Sequence, residues 1–201
     1  MDLGGIVAIH AIGDAANAFT LDIFEILRDE GALLDALHVE HASVLREQGI
    51  VRMGELEIIA SVQPAFLASE QQWAHKRLGH RTERTYAFAS MLAAGATLAG
   101  GSDCPVEPPH PLWGLAAAHE RGNIAPSETL SGTQILDAFT HGGAYSMREP
   151  VPLAIGSPAD LVIVDHDPTT ARASTIRNGT VMATYVKGER RTPGEGSTWK
   201  G

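Results

Sequence analysis

Apolar and polar positions follow two alternating periods along most of this chain. Short apolar runs at 4–10, 36–41, 57–63 and 96–102 have the length of strands. Between them, apolar residues recur three and four apart, the spacing of an amphipathic helix. Phe19, Ile23, Ile26 and Leu27 mark one helix over about 15–30, with Gly31 as its stop. Further helices are predicted over 43–53, over 83–94 ahead of Gly95, and over 112–121 behind the proline-rich loop 105–111. Ser131-Gly132-Thr133-Gln134 reads as a capping box opening a helix to about residue 145. Strand followed by helix, four times over residues 1–148, predicts an α/β fold with a parallel sheet.

The pattern then changes. Leu161-Val162-Ile163-Val164 reads as a buried strand, Asn178-Gly179 as a hairpin turn, and 181–186 as its second strand, with another turn at Lys187-Gly188. Residues 149–192 are therefore predicted to form a small β-sandwich portion, and 193–201 a tail.

Composition narrows the class. At 201 residues and 44% hydrophobic the chain can bury a core. A formal net charge of -9 with scattered basic residues argues against a nucleic-acid partner. The single cysteine, Cys104, excludes an internal disulfide and a cysteine-built zinc site. No apolar run approaches membrane-spanning length, and Met1-Asp2-Leu3-Gly4-Gly5 lacks the basic region of a signal peptide. The expectation is a soluble, cytoplasmic protein without a membrane partner.

Three of the strand-like runs end at or just before a possible metal ligand. Ile6-Val7-Ala8-Ile9 leads to His10, Leu37-His38-Val39-Glu40 to His41, and the 96–102 run to Asp103. In a β/α barrel the C-terminal ends of the parallel strands share one mouth. Two imidazoles and a carboxylate meeting there suit zinc or a similar divalent ion, and the carboxylate can also serve as a base. His38, three residues before His41, is expected on the opposite face as a packing residue, and Glu40 is expected to face the helix layer. Asp14 is expected to cap the following helix or to orient His10. Cys104 has no base placed to activate it.

The motifs carry a resemblance. His10-Ala11-Ile12-Gly13-Asp14, Val39-Glu40-His41-Ala42, Ser61-Val62-Gln63-Pro64, Leu78-Gly79-His80-Arg81 and Gly101-Ser102-Asp103-Cys104-Pro105-Val106-Glu107-Pro108 run in the order of the amidohydrolase superfamily. The set resembles its YtcJ-like branch (amidohydrolase family 3). Phe139-Thr140-His141-Gly142-Gly143-Ala144 and Ile155-Gly156-Ser157-Pro158-Ala159-Asp160 extend the match to the helix after the eighth strand and into the small β portion.

The resemblance implies metal-dependent hydrolysis of a non-peptide amide or related C–N bond in a small molecule. It assigns His10, His41 and Asp103 as metal ligands, and Asp103 also as the catalytic proton acceptor and donor. Zinc is the expected metal, with iron or manganese as alternatives. Gln63, His80, Arg81 and Arg84 are candidates for substrate contact around the mouth.

The fold it implies is the C-terminal half of a (β/α)8 TIM-type barrel, strands 5–8 equivalents, followed by a small β appendage. The first-strand H-x-H pair and the fourth-strand lysine of the family have no counterpart here. Half a barrel leaves open edges and an incompletely packed inner face. Self-association or pairing with a separate N-terminal half is therefore expected. The alternative is a non-catalytic remnant or scaffold.

Overall fold

The computed structural model describes residues 5–32 and 35–191. The chain runs β1 (Ile6–Ala11), α1 (Asp14–Asp29), β2 (Ala36–His41), α2 (Glu47–Glu55) and β3 (Ile59–Val62). Next come the short helices α3 (Phe66–Glu70) and α4 (Ala74–Leu78), a 3-10 segment (Gly79–Arg84), α5 (Phe88–Ala94) and β4 (Thr97–Gly100). α6 (Pro111–Glu120), α7 (Gly132–Asp137), a π-helical segment (Ala138–Gly142) and α8 (Gly143–Ser146) follow. The last elements are β5 (Leu161–Val164), α9 (Ala173–Arg177), β6 (Val181–Val186) and β7 (Glu189–Arg191). The expected 193–201 tail lies outside the described residues.

β1 to β4 form one parallel sheet in chain order, β1-β2-β3-β4. Among the described residues the sheet is open, with β1 and β4 as its ends. β1 alternates as a strand covered on one side: Ile6, Ala8 and His10 are exposed, while Val7, Ile9 and Ala11 turn inward. The core lies between sheet and helices, where Val39, Ala60, Val62 and Leu98 meet Leu21, Phe24, Met53 and Met91. Arg52 of α2 ties the first two helices together, reaching Asp22 and Glu25 of α1, each at 2.7 Å.

Several boundaries differ from the sequence pattern. The buried stripe of α1 is Asn17, Thr20, Leu21 and Phe24, whereas Phe19 and Ile26 are 66% and 56% exposed. The predicted helix over 83–94 is broken. Tyr86 takes a positive φ of 55°, so a 3-10 segment and α5 replace one continuous helix. The helix opened by Ser131 does carry the capping box, with the Ser131 side chain accepting from the Gln134 N–H and Gln134 accepting from the Ser131 N–H. It widens into a π segment after Asp137.

Asn178-Gly179 is not a hairpin turn: it follows α9, with Asn178 as the helix C-cap. The tight turn is Lys187-Gly188, both at positive φ, which joins the antiparallel strands β6 and β7. β5, β6 and β7 form a separate three-stranded antiparallel sheet.

Candidate metal centre

His10 is the fifth residue of β1, and His41 is the last of β2. The register pairs His10 with Glu40 and Ala11 with His41. Regular alternation would therefore leave His41 on the face of buried Ala11, away from His10. The backbone prevents this, because His41 and Ala42 both adopt positive φ, 78° and 47°. The break brings the two imidazoles together, with ring centroids 4.4 Å apart in an edge-to-face arrangement. Left-handed backbone at two successive non-glycine residues is costly and persists only where the surroundings enforce it.

Those surroundings are visible. The Ala42 N–H donates to the Ala11 carbonyl at 3.1 Å and the Val44 N–H to the Ile12 carbonyl at 2.9 Å. The side chain of Asn17, 1% exposed, lies at the same junction. Its Nδ2 is 3.0–3.2 Å from the carbonyl oxygens of Ala11, Ile12, Gly13 and Val44. One buried amide thus clamps the end of the β1 strand to the loop that follows β2.

His41 is enclosed on its other sides. The Phe66 ring lies parallel to it, 6.2 Å away with an interplanar angle of 11°. The Gln63 Oε1 accepts from His41 Nδ1 at 2.8 Å, and the Gln63 Nε2 donates to the Ser61 carbonyl at 3.1 Å. Gln63, expected at the substrate mouth, is buried and spends its amide on a ligand candidate.

The other expected residues are placed as follows. Asp103 is exposed, at a positive φ of 56°, in the turn after β4. Among the described residues, no group of three His, Cys, Asp or Glu side chains is gathered closely enough to hold a metal ion. The imidazole pair is thus the assembled part of the site, and it suits a borderline-soft divalent cation. Arg81 stands 3.7 Å from Asp14, which Arg46 approaches at 3.6 Å, while His80 and Arg84 are exposed beside it. Asp14 is the first residue of α1, not its N-cap, and accepts from the Ala15 N–H.

Glu40 corrects the sequence reading. Its register position beside His10 places it on the strand face of His10 and His38 rather than toward the helices. His38 is buried, with Nε2 unpartnered, and burial lowers its pKa against an opposing pull from Glu40.

Two more groups near this end of the sheet escape a reading by sequence. The Tyr86 hydroxyl donates to Glu70 at 2.6 Å. Desolvation raises the Glu70 pKa, and the nearby charge of Glu107 adds to the effect. Arg121, 1% exposed, donates to the carbonyls of Tyr86 at 2.8 Å and Ala125 at 3.1 Å, holding the 85–86 segment. Burial pulls its pKa down to about 10. A cavity of about 260 Å³ opens beside the Asp103 turn, lined by Gly101, Ser102, His110 and Phe139. A cavity of about 410 Å³ near Thr97 and Tyr145 lies at the other end of β4.

The parallel α/β arrangement is shared with solved structures. An uncharacterized metal-dependent hydrolase from Pyrococcus horikoshii OT3 superimposes with a TM-score of 0.73 at 32% identity, over 84% of this chain and 35% of that one. An atrazine chlorohydrolase from Arthrobacter aurescens TC1, complexed with zinc, shares the fold at a TM-score of 0.65 and 18% identity, over 91% of this chain and 43% of that one. The amidohydrolase family model matches residues 4–191, and the chain belongs to that family.

Among curated relatives, Protein LONG AFTER FAR-RED 3 of Arabidopsis thaliana is 35% identical over 93% of this chain and 34% of its own length. The putative amidohydrolase YtcJ of Bacillus subtilis is 31% identical over 91% of this chain and 36% of its own. The chain thus spans about a third of the length of the curated relatives it matches. Among the described residues, no helix is long and apolar enough to cross a membrane.

Proposed function

We propose that this chain carries part of the metal site of a hydrolase acting on amide-type, non-peptide C–N bonds of a small molecule. The observation that carries the reading is the imidazole pair, brought to 4.4 Å by a backbone break that regular strand geometry would not make. His10 and His41 would hold the ion, zinc by preference and iron or manganese as alternatives. The ion, when bound, supplies the Lewis acidity that lowers the pKa of water to about 7. In this reading Asp103 completes the set. It takes up the proton of the attacking water and returns it to the leaving nitrogen as the C–N bond breaks. Arg81, with His80 and Arg84 beside it, is proposed to meet the substrate at the rim.

The open sheet favours a companion. We read β1 to β4 as one half of a (β/α)8 barrel, residues 1–148, with the three-stranded sheet in a small unit over 149–192. The free edge of β1, its exposed Ile6, and Phe19 and Ile26 on α1 are surfaces that further strands and helices would cover. A complementary half or a second copy of this chain would fill that place. The scaffold alternative draws on the same surfaces and on the uncollected third ligand.

Elemental analysis of the purified chain after size-exclusion chromatography tests the reading. About one zinc, iron or manganese per chain, lost in both His10→Ala and His41→Ala, is the expected result. Metal retained in both variants overturns it, and a metal-free or aggregating chain means that the site needs the complementary half.

A further inference from the structure

Two constraints act on the His41 ring, and they do different work. Phe66 lies parallel to the ring and fixes its plane. A plane alone does not decide which ring edge faces which neighbour, nor which nitrogen carries the proton. Gln63 supplies what Phe66 cannot. Its Oε1 is an acceptor with no hydrogen to give, so the 2.8 Å contact requires a proton on His41 Nδ1. The amide cannot turn over to offer its NH2 instead. Turning would carry Oε1 toward the Ser61 carbonyl oxygen, which now accepts from Nε2 at 3.1 Å. The Gln63 side chain is 4% exposed, so water does not readily replace either partner.

Gln63 also belongs to the segment that places Phe66. Its carbonyl accepts from the Phe66 N–H at 3.1 Å at the start of α3. One residue after β3 therefore governs both the stacking partner and the hydrogen-bond partner of a residue that ends β2.

We infer that Gln63 is a positioning residue that holds His41 as its Nδ1–H tautomer, leaving Nε2 as the lone pair of the ring. The inference deepens the metal-site reading, because a neutral imidazole ligates through the nitrogen its other hydrogen bond leaves free. The tautomer itself is a property of this chain without any metal.

The test uses the 201-residue chain, 15N-labelled and treated with a chelator, with imidazole nitrogens read by long-range 15N–1H correlation. The His41 signals are assigned by their loss in His41→Gln. The expected result is a pyrrole-type Nδ1 and a pyridine-type Nε2. In Gln63→Leu the population moves toward the Nε2–H form, and zinc affinity falls about 10–100-fold.

An Nε2–H His41 in the native chain overturns the inference, as does a Gln63→Leu chain with unchanged tautomer and zinc affinity. If Gln63→Leu does not fold, the native tautomer decides. A native chain that binds no zinc but shows a Gln63-dependent Nδ1–H form supports the positioning role and denies the isolated chain a metal site of its own. Zinc bound through His10 and His41 with equal affinity in Gln63→Leu refutes the positioning role alone.

Discussion

Replacing Asn17 separates donation from mere space filling at the strand junction. Its Nδ2 carries two hydrogens and lies within 3.0–3.2 Å of four carbonyl oxygens, so it makes the equivalent of two good bonds. Three of those carbonyls have a second donor: Ala42 N–H on Ala11, Val44 N–H on Ile12 and Asn17 N–H on Gly13. The fourth, on Val44, depends on Asn17 more heavily. Two lost bonds at about 1 kcal/mol each and one weakly satisfied buried carbonyl give Asn17→Ala a cost of roughly 3 kcal/mol.

For a chain of this size that is a fall in melting temperature of about 6–12 °C. Asn17→Asp is nearly isosteric, yet it replaces the donor with an acceptor facing carbonyl oxygens. It is expected to melt below Asn17→Ala despite leaving no void. Differential scanning calorimetry of the three chains checks this. An Asp variant as stable as the parent, or more stable than the Ala variant, refutes the argument that donation holds the junction.

Three other outcomes follow from the packing and the buried charges. In Gly54→Ala the new Cβ would stand 1.7 Å from the Ala94 carbonyl oxygen, so α2 and α5 must separate; a loss of about 1–3 kcal/mol in urea denaturation is expected, and an unchanged midpoint refutes the close approach. His38 has its folded pKa depressed by burial below the ordinary 6.5, so its stabilising contribution is full above that value and lost as pH falls through the folded pKa. The urea midpoint is therefore expected to drop on acidification from about pH 8 to 5 more steeply in the parent than in His38→Phe, and parallel profiles would count against it. The Glu70 pKa is raised, so its folded form loses stability as pH rises through that value; Tyr86→Phe removes a bond that opposes the rise. That variant is expected to cost about 1–3 kcal/mol, more at pH 8 than in mild acid, and a cost independent of pH would contradict the assignment.

The strand–helix rhythm was legible because core-facing strands and one-sided helices leave different periods in the chain. His10 and His41 were legible as residues at the ends of such strands. Their meeting at one mouth was expected; the way it is reached was not, since regular alternation separates them and the positive φ at His41 and Ala42 joins them. Gln63 stood out, but its partner on a neighbouring strand is a tertiary fact.

Asn17 gave no local sign amid the alanines of α1, although its phase with Leu21 and Phe24 places it on the buried stripe. That stripe also explains the misreading of α1: Phe19 and Ile26 are apolar, and exposed. Arg121 looks in sequence like a solvated helix end. Its burial follows from a left-handed C-cap that turns the chain, and the side chain, back under Tyr86. Asn178-Gly179 is good turn chemistry that served to end a helix instead.

The order of strands in the sheet has a further consequence. β1 and β2 are neighbours joined by one helix, so both imidazoles belong to a single βαβ crossover. Closing β1 on β2 joins Ile6 to Ala36 and closing β2 on β3 joins His38 to Ile59, so the second closure spans the shorter stretch of chain and costs no more chain entropy than the first. Gln63 and Phe66 arrive only with the next strand and the segment after it. A chain with β1 and β2 docked but β3 detached would hold the two rings in reach of each other and still leave His41 free to turn, whereas β2 docked on β3 alone would set the His41 ring before its companion arrives.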